Sequence, residues 1–144
     1  VSATYLGVRT QPTNATVEFW AAAVPTGATG DIVITWSGSS QRCTIGVWAV
    51  YGLDSMTPVS TATSVADPGA LAVVVSAGGC VFGMAVDFSS GLFTWGLGAE
   101  RFDAVTETTG QSGADASNLT ASAAYDLAPN PAGTGPGAVA VSMR

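Results

Sequence analysis

The residue types in this chain restrict the chemistry that it can perform. The sequence has 144 residues, no histidine and four basic residues, all of them arginines. Without histidine, Ser–His and Cys–His nucleophiles and histidine-ligated metal sites are excluded. Without lysine, Schiff-base chemistry and a P-loop lysine are excluded too. Carboxylates remain as candidates, because β-sandwich glycosidases use them in pairs.

No carboxylate pair stands out as catalytic. The acidic residues considered are Glu18, Asp87, Glu100, Asp103 and Glu107. Glu100 and Asp103 are three positions apart, so in a regular strand they would point to opposite faces. Glu100 also adjoins Arg101, and a charge pair at the start of a strand is usually structural. We therefore predict that the chain is not an enzyme and has no catalytic residues.

Metal and cofactor sites are also not indicated. Calcium requires clustered oxygen ligands, and the aspartates are scattered along the chain. The stretch Asp115-Ala-Ser-Asn118 is the nearest approach to such a cluster. Two cysteines alone cannot build a structural zinc site. The sequence predicts neither a metal nor a cofactor.

The aromatic side chains are the best candidates for binding. Four tryptophans could form a platform on which sugar rings stack, although packing in a core or an interface is the alternative. Trp36 shares a strand face with Ile32 and Ile34, so we predict that it is in the core. Trp20 and Trp48 lie opposite the more apolar faces of their strands. The residues predicted as contacts for a partner or a glycan are Trp20, Trp48, Trp95 and Arg101.

The two cysteines, Cys43 and Cys80, both lie in strand-like runs. The main expectation is that both are buried and reduced, and act as small apolar residues. An internal disulfide, if their strands are neighbours, and an intermolecular disulfide remain as alternatives.

Residues 31–53 read as a β-hairpin at the centre of the sheet. The pattern predicts a strand over 31–37, a polar turn over 38–42 and a longer strand over 43–53. One face of the second strand is apolar throughout, which assigns it to a core. The other face carries Trp48 between Gly46 and Gly52 and is also apolar. We therefore expect both faces to be covered, the second one by this chain or by a neighbouring subunit.

The rest of the chain repeats the pattern of short strands and turns. Further strand-like runs are 1–9, 15–24, 59–63, 70–76, 80–88, 92–97, 100–106, 117–127 and 137–143. Gly78-Gly79 suggests a tight hairpin, and 108–116 reads as a polar loop. In 117–127, Leu119, Ala121, Ala123 and Tyr125 are expected to face inward. Roughly nine or ten short strands predict an all-β fold, an antiparallel β-sandwich that is jelly-roll-like.

Composition favours a protein packed among subunits. Only 10% of the residues are charged, 47% are apolar, and the net charge is −6. The arginines are spread out, so direct nucleic-acid binding is not expected. No apolar run reaches about 18 residues, so no membrane span is expected. The size predicts one domain over 1–144. The sequence has no signal peptide and no initiator methionine, so the chain is expected to be either a processed product or a segment, such as the C-terminal part, of a longer polypeptide.

Two stretches carry a resemblance to a known class of protein. They are VPTGATGDIVITWSGS at 24–39 and RCTIGVWAVYGL at 42–53. Later pieces fit the same pattern: FTWGL at 93–97, ERFD at 100–103, the strand 119–125 and the terminal AVSMR. Over most of its length, from residue 20 onward, the chain resembles β-sandwich virion proteins of tailed bacteriophages and prophages.

The resemblance implies a non-enzymatic structural component of a virion, assembled in the bacterial host cytoplasm. Such a protein decorates the head or forms part of a tail or fibre. Its partners would be other virion proteins, copies of itself and a host surface glycan. The class has no catalytic motif to carry over. The alternative from another functional class is a carbohydrate-binding β-sandwich module, which requires Trp20 or Trp48 to be exposed in a shallow groove.

Overall fold

Strands are the only regular secondary structure in the part of the chain that the computed structural model describes. That part comprises residues 1–10, 15–25, 27, 29–36, 38, 42–65, 69–89, 91–130 and 137–144. In chain order the strands are β1 (Thr4–Thr10), β2 (Val17–Ala21), β3 (Ser60–Ser64), β4 (Ala72–Val75), β5 (Gly79–Asp87), β6 (Thr94–Trp95), β7 (Ala99–Thr106), β8 (Thr109–Leu119), β9 (Ser122–Asp126), β10 (Pro129–Asn130) and β11 (Gly137–Met143). The prediction of an all-β antiparallel sandwich is confirmed.

A five-stranded antiparallel sheet forms the middle layer. Its strand order is β3-β11-β5-β8-β7. Strands β11 and β5 pair along their whole length, from Gly137 opposite Val86 to Met143 opposite Cys80. Every residue of β11 is buried, because both faces of the sheet are covered at this point. A strand buried on both faces reads as a nearly continuous apolar run, and β11 has that sequence.

The first face of this sheet bears Val81 and Ala85 of β5 and packs against two short strand pairs. These are β4 with β9, and β6 with β10. Leu71 and Val73 enter the core from the β4 side, and both are fully buried. The core on this face consists of Leu71, Val73, Val75, Val81, Ala85, Phe93, Leu127, Ala138 and Ala140.

The second face bears the alternate residues of β5, among them Phe82 and Met84. The β1–β2 ribbon packs on it, with Val17 and Phe19 pointing inward. The side chains of β2 alternate in burial as its sequence predicts: Val17 and Phe19 are buried, and Trp20 is exposed. The core on this face consists of Val17, Phe19, Cys80, Val86, Val139, Val141 and Met143, with Trp48 packed against it.

The predicted central hairpin is wrong as far as the structure describes it. Residues 31–36 and 42–53 form no strand and are mostly exposed, while residues 37 and 39–41, which include most of the predicted turn, lie outside the described residues. Strands β11, β5 and β8 occupy the centre of the sheet instead. The alternating pattern correctly indicates an extended chain with two faces, but it does not encode hydrogen-bond partners.

Two other connections also differ from expectation. Strand β5 begins at Gly79 and does not pair with β4, so Gly78-Gly79 do not close a hairpin. The turn instead passes the chain from one sheet to the other, with the Gly79 N–H donating to the Ser76 carbonyl at 3.0 Å. Gly78 adopts a φ of 76°, a conformation that glycine adopts readily.

The predicted polar loop over 108–116 is wrong, because most of it belongs to β8. Its glycine, serine and alanine residues favour a loop by their intrinsic propensity. The sheet requires small side chains here because aromatic rings pack directly on this strand. A Cβ on Gly113 would lie 2.6 Å from Cζ of Phe102 and 3.0 Å from the Trp48 ring. Tertiary packing therefore overrides the local preference at this strand.

The single strand predicted over 117–127 is two strands. Asn118, with a φ of 54°, lies at the end of β8 just before the chain turns into β9. Ala121 and Ala123, which were expected to face inward, are exposed, while Leu119 and Tyr125 are half-buried against the first core. The described residues include no helix long and apolar enough to cross a membrane.

Candidate functional site

Residues 42–53, which we call the crossing segment, run over the second face of the sheet. At one end, the Arg42 guanidinium pairs with Glu107 and its Nη1 donates to Thr109 Oγ1 at 3.4 Å. Six residues later, Trp48 Nε1 donates to Asp115 Oδ2 at 2.9 Å. Thr109 and Asp115 are also six residues apart on β8. The segment is therefore extended and runs in the same direction as β8.

The inner side chain of the crossing segment is Trp48. Its ring centroid lies 6.0 Å from that of Phe19 and 5.8 Å from those of Phe82 and Phe102, all tilted. Glycines provide the room for this cluster, because a Cβ on Gly46 would lie 2.5 Å from Cε1 of Phe102. The cover over the Trp48 face is thus supplied by this chain.

Asp115 connects two of the four predicted contact residues. Its Oδ2 accepts hydrogen bonds from Trp48 Nε1 and, at 2.8 Å, from Arg101 Nε; its Oδ1 accepts one from Arg101 Nη2 at 2.7 Å. The Asp115 side chain is 11% exposed and that of Arg101 is 54% exposed. The hydrogen bonds and charge of Asp115 raise the pKa of Arg101. The structure thus brings Trp48 and Arg101 together around one carboxylate. Both oxygens of Asp115 accept hydrogen bonds from N–H donors, whereas a calcium site would surround the ion with oxygen ligands.

A cleft of about 340 Å³ opens beside this cluster. Trp48, Tyr51, Arg101 and Asp115 are among its lining residues. Cys80 also lines it, and burial, followed by the negative charge of Asp115, raises the pKa of its thiol. The thiol is therefore protonated at neutral pH and a poor nucleophile. The cleft offers aromatic surface and one half-exposed guanidinium for binding.

Trp20 belongs to a separate aromatic pair on the β1–β2 ribbon. Its side chain is 56% exposed, and its ring lies 5.3 Å from that of Tyr5. Trp20 Nε1 donates to Glu18 Oε2 at 3.1 Å, which fixes the edge of the indole. Tyr5 also lines a shallow groove of about 290 Å³ together with Met56 and Pro58. This aromatic pair is the exposed aromatic surface that the sequence predicted at Trp20.

Trp95 lies on the other side of the sheet from Trp48 and Arg101. Its Nε1 donates to Ser112 Oγ at 2.8 Å, and its ring packs against the first core. A Cβ on Gly83 would lie 2.9 Å from Cζ3 of Trp95, so this glycine makes room for the indole. The structure therefore gives Trp95 a packing role and does not bring it to the other predicted contacts.

Two further predictions about burial are wrong. Trp36 was assigned to the core, and it is as exposed as Trp20, because residues 31–36 pair with no strand. The apolar face of 43–53 was also assigned to a core, but from Cys43 to Tyr51 it is exposed, and only Leu53 is half-buried. Cys80 is buried as expected, and both cysteines are free, so the internal disulfide is absent.

The carboxylates Glu100 and Asp103 share a face, contrary to the expectation from spacing. A β-bulge between Glu100 and Phe102 shifts the register, so Glu100 is opposite Ala114 and Asp103 is opposite Ser112. Desolvation, and then the charge of Asp103, raise the pKa of Glu100. Arg101 pairs with Asp115 across the sheet instead of with its neighbour. Within the described ranges, no three acidic or sulfur side chains cluster as metal ligands.

The outward side of the crossing segment is apolar and uncharged. Thr44, Gly46 and Trp48 are half-buried, and the residues between and beside them are exposed. No charged residue occurs in 43–53. Residues 31–36 add further exposed apolar side chains. We call the whole set the outer apolar surface, and it consists of Ile32, Val33, Ile34, Trp36, Ile45, Val47, Val50 and Tyr51.

The sequence pattern did not identify Asp115 as the partner of Trp48, Tyr51 as part of the cleft, or Tyr5 as the partner of Trp20. The sequence does indicate that Asp115 has a specific partner, because it is the only charged residue in 108–125. A single carboxylate among small residues in a buried strand requires a partner. Comparison of the chain with protein-family models, curated proteins and solved structures gives no match.

Proposed function

We propose that this chain is a non-enzymatic structural component of a bacteriophage virion that acts through contacts with other subunits. The observation that carries the proposal is the outer apolar surface. Exposed groups of large apolar side chains mark surfaces that another molecule covers. Here eight such side chains are exposed, in the two stretches 31–36 and 45–51.

Composition supports the same proposal. Only 10% of the residues are charged, so much of the surface consists of small polar groups that lose little on desolvation. The likeness of 24–39 and 42–53 to virion proteins of tailed phages suggests the kind of assembly. Both stretches contribute to the outer apolar surface.

Mass spectrometry of purified phage particles tests this function. Phage particles are purified on a density gradient from a bacterial culture that carries the gene for this chain. The polypeptides in these particles are then identified. We expect this chain to be present in a fixed ratio to the major particle protein. Its absence from intact, infectious particles overturns the proposal.

Two further measurements distinguish the role within the particle. A head decoration protein remains bound to heads that have been emptied of DNA. A tail or receptor-binding protein blocks infection when the free chain is added to cells before the phage.

A second candidate, a carbohydrate-binding module, is favoured by the exposed Tyr5–Trp20 pair beside a shallow groove. Tilted aromatic rings with a fixed indole edge provide a face on which sugar rings stack. A glycan array with the purified chain tests it. Trp20→Ala should abolish the signal, and Trp36→Ala, which removes an equally exposed indole, should leave it unchanged. A silent array, or equal losses in both variants, rejects this candidate.

A further inference from the structure

We propose that the cleft beside Trp48 binds one ring of a neutral pyranose sugar, with Arg101 and Asp115 hydrogen-bonding its hydroxyls and Tyr51 packing on the ring. The cleft is separate from the Tyr5–Trp20 pair, so the inference does not rest on either proposed function. Four parts of the chain form it: the crossing segment, the start of β5, the end of β8 and one residue of β7. Its volume of about 340 Å³ lies at the lower end of the range for small-molecule sites.

The first argument is the free edge of the Arg101 guanidinium. Its Nε and Nη2 donate to Asp115 at 2.8 and 2.7 Å, which occupies one edge of the planar group. A guanidinium has five N–H donors, so the two of Nη1 and the second one of Nη2 remain. Among the described residues, no acceptor contacts Nη1. The Arg101 side chain is 54% exposed and its orientation is fixed by Asp115, so this edge presents ordered donors to a ligand.

The second argument is an acceptor next to these donors. Within the described part of the chain, Oδ1 of Asp115 accepts a single hydrogen bond, from Arg101 Nη2, although a carboxylate oxygen accepts two. The free donor edge and the free acceptor are therefore neighbours. Two vicinal hydroxyls of a pyranose fit them, because one accepts from Arg101 while the other donates to Asp115.

The third argument is the aromatic wall of the cleft. Trp48 and Phe82 line it with their rings packed together at 5.8 Å between centroids. Tyr51 lines it from the crossing segment and is 90% exposed. A pyranose carries C–H groups on its faces and hydroxyls around its edge. One ring can therefore contact the aromatic wall while its edge reaches the polar pair.

Charge and polarity disfavour the other classes of small ligand. The chain has a net charge of −6, and the charge of Arg101 is already balanced by Asp115, so an anion would meet a nearby carboxylate without compensation. A cation would find N–H donors on both oxygens of Asp115. A wholly apolar ligand would cover the free Arg101 donors without replacing their water. A neutral ring that bears hydroxyls satisfies each of these conditions.

Solution NMR on the purified full chain tests the inference. At the efficiency per atom that is usual for small ligands, one sugar ring binds with a Kd on the order of 1–10 mM, which is too weak for a washed array. The probes are methyl β-D-galactoside, methyl β-D-glucoside and methyl α-D-mannoside, each titrated to about 50 mM. The reporters are the indole N–H resonances of the four tryptophans. At least one probe should shift the Trp48 resonance in a saturable way, because its Nε1 donates to Asp115, and should leave those of Trp20, Trp36 and Trp95 unchanged.

Two variants and a matched control locate the site. Arg101→Ala removes the donor edge and should raise the Kd about 10-fold. Tyr51→Ala removes one aromatic face and should raise it at least ~3-fold. Both side chains are more than half exposed, and far-ultraviolet circular dichroism reports whether each variant is folded. Trp36→Ala removes an exposed aromatic side chain that does not line the cleft, so the Kd should stay the same.

Two further probes test the class of ligand. Sorbitol carries hydroxyls without a ring, and methyl β-D-glucuronide adds a carboxylate, so each should bind at least ~5-fold more weakly than the best neutral glycoside. A Trp48 resonance that does not respond, or a shift of Trp20 alone, overturns the inference. So does an unchanged Kd in Arg101→Ala or Tyr51→Ala, or binding of sorbitol or the glucuronide that equals or exceeds that of the neutral glycosides.

Discussion

Replacement of Asp115 by alanine should destabilise the fold by an amount that can be worked out from its contacts. The carboxylate accepts one hydrogen bond from Trp48 and two from Arg101. Its side chain is mostly buried and lies between the crossing segment and the sheet. The substitution therefore removes both the acceptor for a half-buried indole and the partner of a guanidinium.

The two losses differ in size. A hydrogen bond to a charged group contributes about 1.5–3 kcal/mol, and an indole N–H left without a partner loses most of that. Arg101 is half-exposed, so water replaces much of what it loses, and its share is at most about 1 kcal/mol. The sum for Asp115→Ala is about 2–4 kcal/mol of unfolding free energy. Trp48→Phe removes the same donor and also part of the packed ring, so it should cost at least about 1.5–3 kcal/mol.

Urea denaturation followed by far-ultraviolet circular dichroism measures these free energies without depending on the Trp48 fluorescence. The double variant should show a coupling of about 1–3 kcal/mol, since both single changes break the same hydrogen bond. The control is Asp54→Ala, which breaks an exposed ion pair with Arg144 at 3.3 Å and should cost less than about 0.5 kcal/mol. A loss for Asp115→Ala no larger than this control, or a coupling near zero, would refute the reasoning.

Three further outcomes are expected. Gly113→Ala should cost about 1–3 kcal/mol, because the new methyl group overlaps the neighbouring phenyl ring. Ellman's reagent at pH 8 should modify Cys43 quickly and Cys80 only slowly, since Cys43 is exposed while burial and a nearby carboxylate raise the pKa of Cys80. Asp103→Asn should lower the pKa of Glu100 only part of the way to its ordinary value, because desolvation still raises it. The NMR chemical shift of the Glu100 carboxyl carbon measured against pH gives this pKa.

Each of these outcomes has a control or a contradicting result. Gly30→Ala adds the same methyl group where nothing lies within 4 Å, so it should have little effect. In the Cys43→Ser variant, Cys80 is the only thiol left to react. Fast modification of that variant would contradict the burial of Cys80. A raised carboxyl pKa means that the folded state holds its proton more tightly, so stability decreases as pH rises between the ordinary and the raised pKa of Glu100. Glu100→Gln should remove that decrease.

The alternation of apolar and polar residues predicted which side chains share a face of a strand, but it did not predict which strands pair. The alternating sequences of β2 and β5 place Val17 with Phe19 and Phe82 with Met84 on one strand face each, and the structure has both pairs pointing to the second core. The bounds of β11 were also predicted, because a nearly continuous apolar run after a stretch rich in proline and glycine has few alternatives. Alternation follows from an extended backbone alone, so it could not show that residues 31–36 and 42–53 lack strand partners.

The candidate site depended on contacts between residues far apart in sequence. The expectation that Trp48 is covered came from its glycine neighbours and its apolar face, and it is confirmed. Its partner Asp115 lies 67 positions away, and the loop-like composition around that residue concealed a strand. The bulge that aligns Glu100 with Asp103 is likewise set by pairing across the sheet, which local spacing does not report.

The position of β11 in the sheet determines when the sheet can form during synthesis of the chain. This strand lies between β3 and β5, so the β3 edge cannot join the sheet until residues 137–143 have been synthesised. Until then the β11-facing side of β5 is an open apolar edge on a growing chain. Pairing across more than 70 residues also places the fold among slow, high-contact-order topologies. Completion of this sheet is therefore a late step, and the nascent chain is most vulnerable to wrong pairing just before it.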